Sequence, residues 1–241
     1  GSHVIVFLAT VMSDRALRVP VLARQIIAMK RYLALLLSCA LASVVLSALP
    51  SHAAQKRSHA YLLQVMTPDG KGYLPMAEAE VYTALVAVKT ALRTPEDLEK
   101  LSAGAKGAQH AIDPIRIKEG PGRGFGVKKA AEGIISYVTA AGKSPDASEK
   151  VRSYARWVST SAENVVVRAD RITDLLGKVM RMKTAKNAAR VLRLVSRMCQ
   201  EILLGKDTNK DGKVSWKKHE GGLAQAKRYT TVMLRLEKLM K

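Results

Sequence analysis

Residues 151–179 read VRSYARWVSTSAENVVVRADRITDLLGKV. Val151, Val158, Val165, Ile172 and Val179 recur every seven residues, and Ala155, Ala162, Ala169 and Leu176 follow the first four at a spacing of four. That alternation is the apolar seam of one long helix. The alanines along one side let a neighbouring helix approach closely at a shallow angle. The seam fits a core-facing helix of an antiparallel bundle or a dimeric coiled coil. Short connections on both sides favour the bundle.

Working outward, nearly everything after residue 54 carries helical character. Aromatic residues make up 5% of the chain, alternating strand patterns are absent, and Ala, Leu, Lys, Arg and Glu are abundant. Thr94-Pro95-Glu96-Asp97 combines a cap, a first-turn proline and first-turn acids, and Ser144-Pro145-Asp146 repeats the device. Thr184 can cap a further helix, and Gly205 sits where it ends. The predicted helices lie near 56–66, 76–93, 95–111, 127–142, 145–182, 185–204 and 216–239. Residues 113–126 form a glycine-rich loop that matches no phosphate-binding pattern and follows no strand. The expected fold is an all-α antiparallel helical bundle.

Residues 1–28 are an upstream extension without a usable motif. Lys30-Arg31, the apolar run Tyr32–Leu49 and the small residues Ser51 and Ala53 describe a signal peptide over 29–53. An uncleaved membrane anchor is the alternative, and the run is near the lower length limit for a span. Cleavage after Ala53 leaves a single helical domain, 54–241, with no transmembrane span and a periplasmic or secreted location. Cys199 is then its one cysteine, so no internal disulfide forms, and it reads as a small buried hydrophobe.

Asp207-Thr208-Asn209-Lys210-Asp211-Gly212-Lys213-Val214-Ser215-Trp216-Lys217-Lys218 has the spacing of a calcium loop through its ninth position. Side-chain oxygens stand at positions 1, 3, 5 and 9, with glycine at 6 and an aliphatic residue at 8. Lys218 takes position 12, where a bidentate glutamate belongs; an ammonium cannot ligate a cation. Glu220 comes two residues too late unless the exiting helix is distorted. Residues 67–78 show a complementary pattern, with Asp69 at position 3, Gly72 at 6, Leu74 at 8 and Glu78 at 12. The two stretches resemble degenerate EF-hand loops. The resemblance implies two EF-hand-like helix–loop–helix units, paired through a short Leu74–Val214 backbone bridge, with inserted helices over about 95–182. It also implies a weak calcium site drawing on Asp207, Asn209, Asp211, the Lys213 carbonyl and Ser215, together with Asp69 and Glu78. The alternative is that both loops are tight turns kept for shape.

Charge is the second signal. Residues 178–241 hold 17 Lys and Arg against 5 Asp and Glu, a net of +12 within a chain of net +20. Lys186, Arg190, Arg193 and Arg197 are spaced 4, 3 and 4, which places them on one helix face. Lys227 and Arg228 add charge on the last helix. This pattern suits a polyanion: an anionic envelope component such as lipid or lipopolysaccharide, or an acidic protein. Nucleic acid fits less well, since export separates the two and few aromatics stand among the cations to stack bases. His59, His110 and His219 have no metal-ligand spacing and read as surface or capping residues. No nucleophile–base arrangement is legible. The expectation is a non-catalytic binding protein of unspecified oligomeric state.

Overall fold

The computed structural model describes residues 57–66 and 72–239. The chain divides into two units, 1–54 and 55–241, and every described residue belongs to the second. The extension 1–28, the signal-like segment 29–53 and Asp69 lie outside the described residues.

Seven α-helices make up the described residues: α1 (Arg57–Val65), α2 (Tyr73–Ala91), α3 (Leu98–Ile112), α4 (Val127–Lys143), α5 (Glu149–Val179), α6 (Ala185–Leu204) and α7 (Leu223–Leu236). They form an all-α helical bundle with no strand among the described residues. α5 is its axis and packs against α4, α7, α6 and α3. All nine seam positions from Val151 to Val179 are buried. Each large aliphatic so placed contributes roughly 1.5–3 kcal/mol relative to exposure. The seam therefore faces the chain's own helices. The close approach it implies is visible at Gly142 of α4, where a Cβ would stand 2.8 Å from the Ala155 Cβ. α2 packs on α3, α4 and α6, completing the core around Leu85, Leu101, Ile134 and Leu192.

Several boundaries differ from the sequence expectation. The Thr94-Pro95-Glu96 segment is a turn, and Asp97 caps α3 by accepting from the Lys100 amide at 3.0 Å. Ser144-Pro145-Asp146 is likewise a turn, and Ser148 caps α5 by accepting from the Val151 amide. A second acceptor further along simply competes better in each case. α2 begins at Tyr73, because Pro75 is compatible with a first helical turn and draws Leu74 into the helix. Leu74 thus forms no bridge to Val214.

The largest shift concerns α7, which begins at Leu223 instead of near 216. Residues 217–222 fold as a turn in which the Glu220 and Gly221 amides donate to the Lys217 carbonyl, and His219 adopts φ 71°. Gly221 and Gly222 then enter α7 in tight quarters. A Cβ at Gly221 would sit 2.7 Å from Ser161 Oγ, and one at Gly222 2.6 Å from the Ile202 carbonyl oxygen.

Candidate functional site

The loop between α6 and α7 closes on itself. Gly205 ends α6 at φ 79°, and the Lys206 amide donates to the Glu220 carbonyl at 2.8 Å to form a neck. Within the loop, Asp207 accepts from the Lys210 amide (2.7 Å) and the Gly212 amide (2.9 Å). Asn209 accepts from the Asp211 amide and donates its own Nδ2 to Asp211, whose other oxygen accepts from the Lys213 amide. Those bonds hold the Asp211 carboxyl below the usual carboxylate range, the Lys213 amide first. Ser215 donates from Oγ to Glu220 at 2.5 Å, and its amide donates to the same oxygen.

Glu220 therefore folds back onto the ninth position of the loop, which is open to it because α7 starts later than expected. Lys218 is exposed. The donor types suit a hard cation, but their arrangement fits one poorly. The loop oxygens of Asp207, Asn209 and Asp211 are engaged by the loop's own N–H groups, and Ser215 and Glu220 are bonded to each other. Among the described residues, no three His, Cys, Asp or Glu side chains converge as a metal-holding group. Glu78 sits inside α2 and accepts from Lys227 Nζ of α7 at 3.0 and 2.9 Å.

What anchors this loop was not legible in the sequence. Arg168 of α5 is 8% exposed. Its guanidinium donates to the carbonyls of Gly221 (2.6 Å), His219 (2.6 Å) and Glu220 (3.1 Å). Burial pushes its pKa down, while Glu201 acts in the opposite sense. One turn earlier, Asn164 donates to the Lys217 carbonyl (2.9 Å) and accepts from the His219 amide (2.7 Å). A protein cation and an amide thus satisfy the turn's backbone. Trp216, at the tenth loop position, stacks on Trp157 of α5 with centroids 5.5 Å apart and planes at 11°.

The cationic face is laid out as its spacing predicts. Lys186, Arg190, Arg193 and Arg197 are all exposed on α6, opposite the buried Ala188, Leu192, Val195 and Cys199. None of the four is within 4.0 Å of a carboxylate among the described residues; Arg190 bonds only Asn187, at 2.8 Å. At 1.5 Å per residue this stripe runs for about 16 Å. Continuing the same line by seven residues gives Leu204, which is 65% exposed. Leu204 borders a groove of about 530 Å³ between α2, α6 and α7. Its apolar wall includes Tyr82, Leu203 and Val232, and its rim carries Lys227, Arg228 and Arg235. Tyr82 is 57% exposed and Val86, one turn on, is exposed beside it. No described helix is long and apolar enough to cross a membrane.

A second concave region lies at the other loop. Glu80 of α2 is fully buried, and its Oε1 accepts from the amides of Arg123, Phe125 and Gly126 at 3.1, 3.0 and 3.4 Å. Gly122, at φ 112°, allows the approach, since a Cβ there would be 2.3 Å from Glu80 Oε2. The glycine-rich loop is thereby fixed across the end of α3. It covers His110, which is 5% exposed and so belongs to the interior instead of the surface.

Comparison with protein-family models, curated proteins and solved structures finds no significant match.

Proposed function

We propose that this is a non-catalytic, exported binding protein that docks on anionic lipid surfaces through the outward face of α6 and the adjoining groove. The observation that carries this reading is the row Lys186, Arg190, Arg193 and Arg197, exposed, without acidic partners among the described residues, and ending at the exposed Leu204. Each Lys or Arg held near an anionic leaflet contributes about 1 kcal/mol. Four such residues therefore supply about 4 kcal/mol, with Arg228 and Arg235 adding to it. Leu204, Tyr82 and Val86 give the same surface apolar groups to seat among headgroups, the combination that distinguishes an interfacial site from a merely solvated charged face.

Co-sedimentation of the full chain with phosphatidylglycerol-containing and pure phosphatidylcholine vesicles tests the reading. Binding is expected only with the anionic lipid, and is expected to fall steeply above about 0.3 M salt as the Debye length shortens. Changing Lys186, Arg190, Arg193 and Arg197 together to Gln weakens it at least about tenfold. Equal binding by the quadruple variant sinks the proposal, even if another segment of the chain holds the vesicle. Binding to soluble polyglutamate without binding to vesicles also sinks it and points to an acidic protein.

The loop at 207–218 is read as an EF-hand-like joint between α6 and α7 with a weak calcium response. The observation favouring any response is Glu220, which brings a carboxylate to the loop where Lys218 cannot. Affinity is expected to be millimolar or weaker, at the low end of the EF-hand range. Trp216 supplies the assay, since it can sensitise luminescence from a terbium ion held in the loop. Absence of that luminescence and of any calorimetric heat at millimolar metal removes calcium from the reading, and the lipid test is unaffected.

A further inference from the structure

A cavity lies beside the glycine-rich loop, outside the face assigned to lipid. Its volume is about 880 Å³, within the range of small-molecule sites. Pro114 and Phe125, both half-buried, and the exposed Ile115 supply apolar surface, while His110, Lys118 and Lys129 supply the polar groups that concern a ligand. The remaining lining charges are mostly committed. Lys128 is bonded to Asp170 at 2.7 Å, and Asp113 accepts from the Ile115 amide and faces Arg116 at 3.9 Å. Glu132 stands exposed at the margin.

His110 decides the chemistry. Its Nδ1 is 2.8 Å from the Ile117 carbonyl oxygen, which can only accept, so Nδ1 carries the hydrogen. In the neutral ring, Nε2 then presents a lone pair. It has no partner among the described residues and lies on the cavity side, where a Cβ on Gly124 would be 3.9 Å away. A ring this buried, held at one nitrogen with the other on the cavity side, is a preformed acceptor for a ligand hydroxyl. Lys129 lies 4.7 Å from the centre of the Phe125 ring. Lys118 and Lys129 are both exposed at the cavity margin, without a carboxylate within 4.0 Å among the described residues. Glu80 holds the covering loop rigidly through three amides, so the site exists before a ligand arrives.

We propose that this cavity binds a small apolar hydroxy acid: a flat or chain-like apolar body against Phe125, Pro114 and Ile115, a hydroxyl donating to His110 Nε2, and a carboxylate at Lys118 and Lys129. The proposal does not depend on the lipid-binding reading.

The test uses the full chain and three fluorescent probes: 6-hydroxy-2-naphthoate, 2-naphthoate and 2-naphthol, followed by anisotropy. For a ligand of this size, 6-hydroxy-2-naphthoate should bind saturably with a Kd of about 1 mM or tighter. Each of the other two lacks one anchor and should bind about tenfold more weakly. Changing Lys118 and Lys129 together to Gln alters exposed side chains only; it should weaken both naphthoates about tenfold and leave 2-naphthol unchanged. His110→Gln should erase the advantage of the hydroxylated acid over 2-naphthoate. Should that variant fail to fold, the probe series and the lysine variant still decide. No saturable signal up to about 5 mM overturns the proposal. So does equal affinity for all three probes, or unchanged naphthoate binding by the lysine variant.

Discussion

Replacing Arg168 with Met keeps an unbranched apolar stem, shortens the side chain and removes its cation. Three backbone carbonyls, those of His219, Glu220 and Gly221, lose a charged donor at once. Only the Gly221 carbonyl is orphaned, at a cost of about 1–3 kcal/mol, because the Lys206 amide still serves the Glu220 carbonyl and the Thr208 hydroxyl that of His219. A small cavity of about 210 Å³ borders Arg168 beside Asn164, Lys206 and His219 and lets water reach part of the turn. The wild-type guanidinium also carries a desolvation cost on burial that Met does not. Both effects bring the expected loss to about 1–2 kcal/mol, a fall of roughly 5- to 30-fold in the folding constant. Urea unfolding followed by circular dichroism measures this loss. The Trp157–Trp216 stack reports separately on the loop, and these are the chain's two tryptophans. The variant should show altered tryptophan emission before any loss of helix. Arg168→Lys should recover about half of the stability, since an ammonium keeps the charge without the planar fork. A loss under about 0.5 kcal/mol with unchanged tryptophan emission would refute the argument that Arg168 holds the α6–α7 loop.

The same reasoning extends elsewhere. Glu80→Ala strips the acceptor from three amides of the glycine-rich loop and should cost about 2–4 kcal/mol, with faster hydrogen exchange at Arg123 and Phe125; unchanged exchange at those amides would contradict it. Burial pushes the Cys199 thiol up to about 12, so at pH 8 only about one thiol in ten thousand is ionised. Alkylation should be negligible in the folded protein and rapid in urea, and brisk native labelling would show that α6 opens. Asp97, Asp146 and Asp211 have carboxyls held below their ordinary values by, respectively, the Lys100 amide, the Ser144 hydroxyl and the Lys213 amide. Each therefore favours the fold above its unfolded value near 3.9, and that contribution disappears as pH falls through the lower folded value. Thermal melts should accordingly be flat in this respect near neutrality and decline below about pH 4; a melting temperature that rises on acidification would reverse the sign.

How much of this was readable in the sequence follows from how local each signal is. The seam at Val151–Val179 announced α5 and its burial, because a periodicity of apolar residues and the geometry of a helix are the same fact stated twice. The exposure of Lys186, Arg190, Arg193 and Arg197 was legible for the same reason. Capping residues were legible only to within a turn: Asp97 and Ser148 prevailed over Thr94 and Ser144 because several acceptors stood close together. The spacing of His110 suits a surface or capping residue, and nothing in its neighbours along the chain shows that a loop pinned by Glu80 will cover it.

The loop at 207–218 marks the division most clearly. Its own residues determined the turn: Asp207, Asn209 and Asp211 each find amides within five residues, so spacing along the chain suffices. The end of the loop belonged to the tertiary structure. Arg168 and Asn164 lie about fifty residues away in sequence, yet their bonds to residues 217–221 keep α7 from starting until Leu223 and leave Glu220 free to reach Ser215. Local hydrogen bonds are set by spacing along the chain, whereas a buried guanidinium acts only where packing delivers three carbonyls to it.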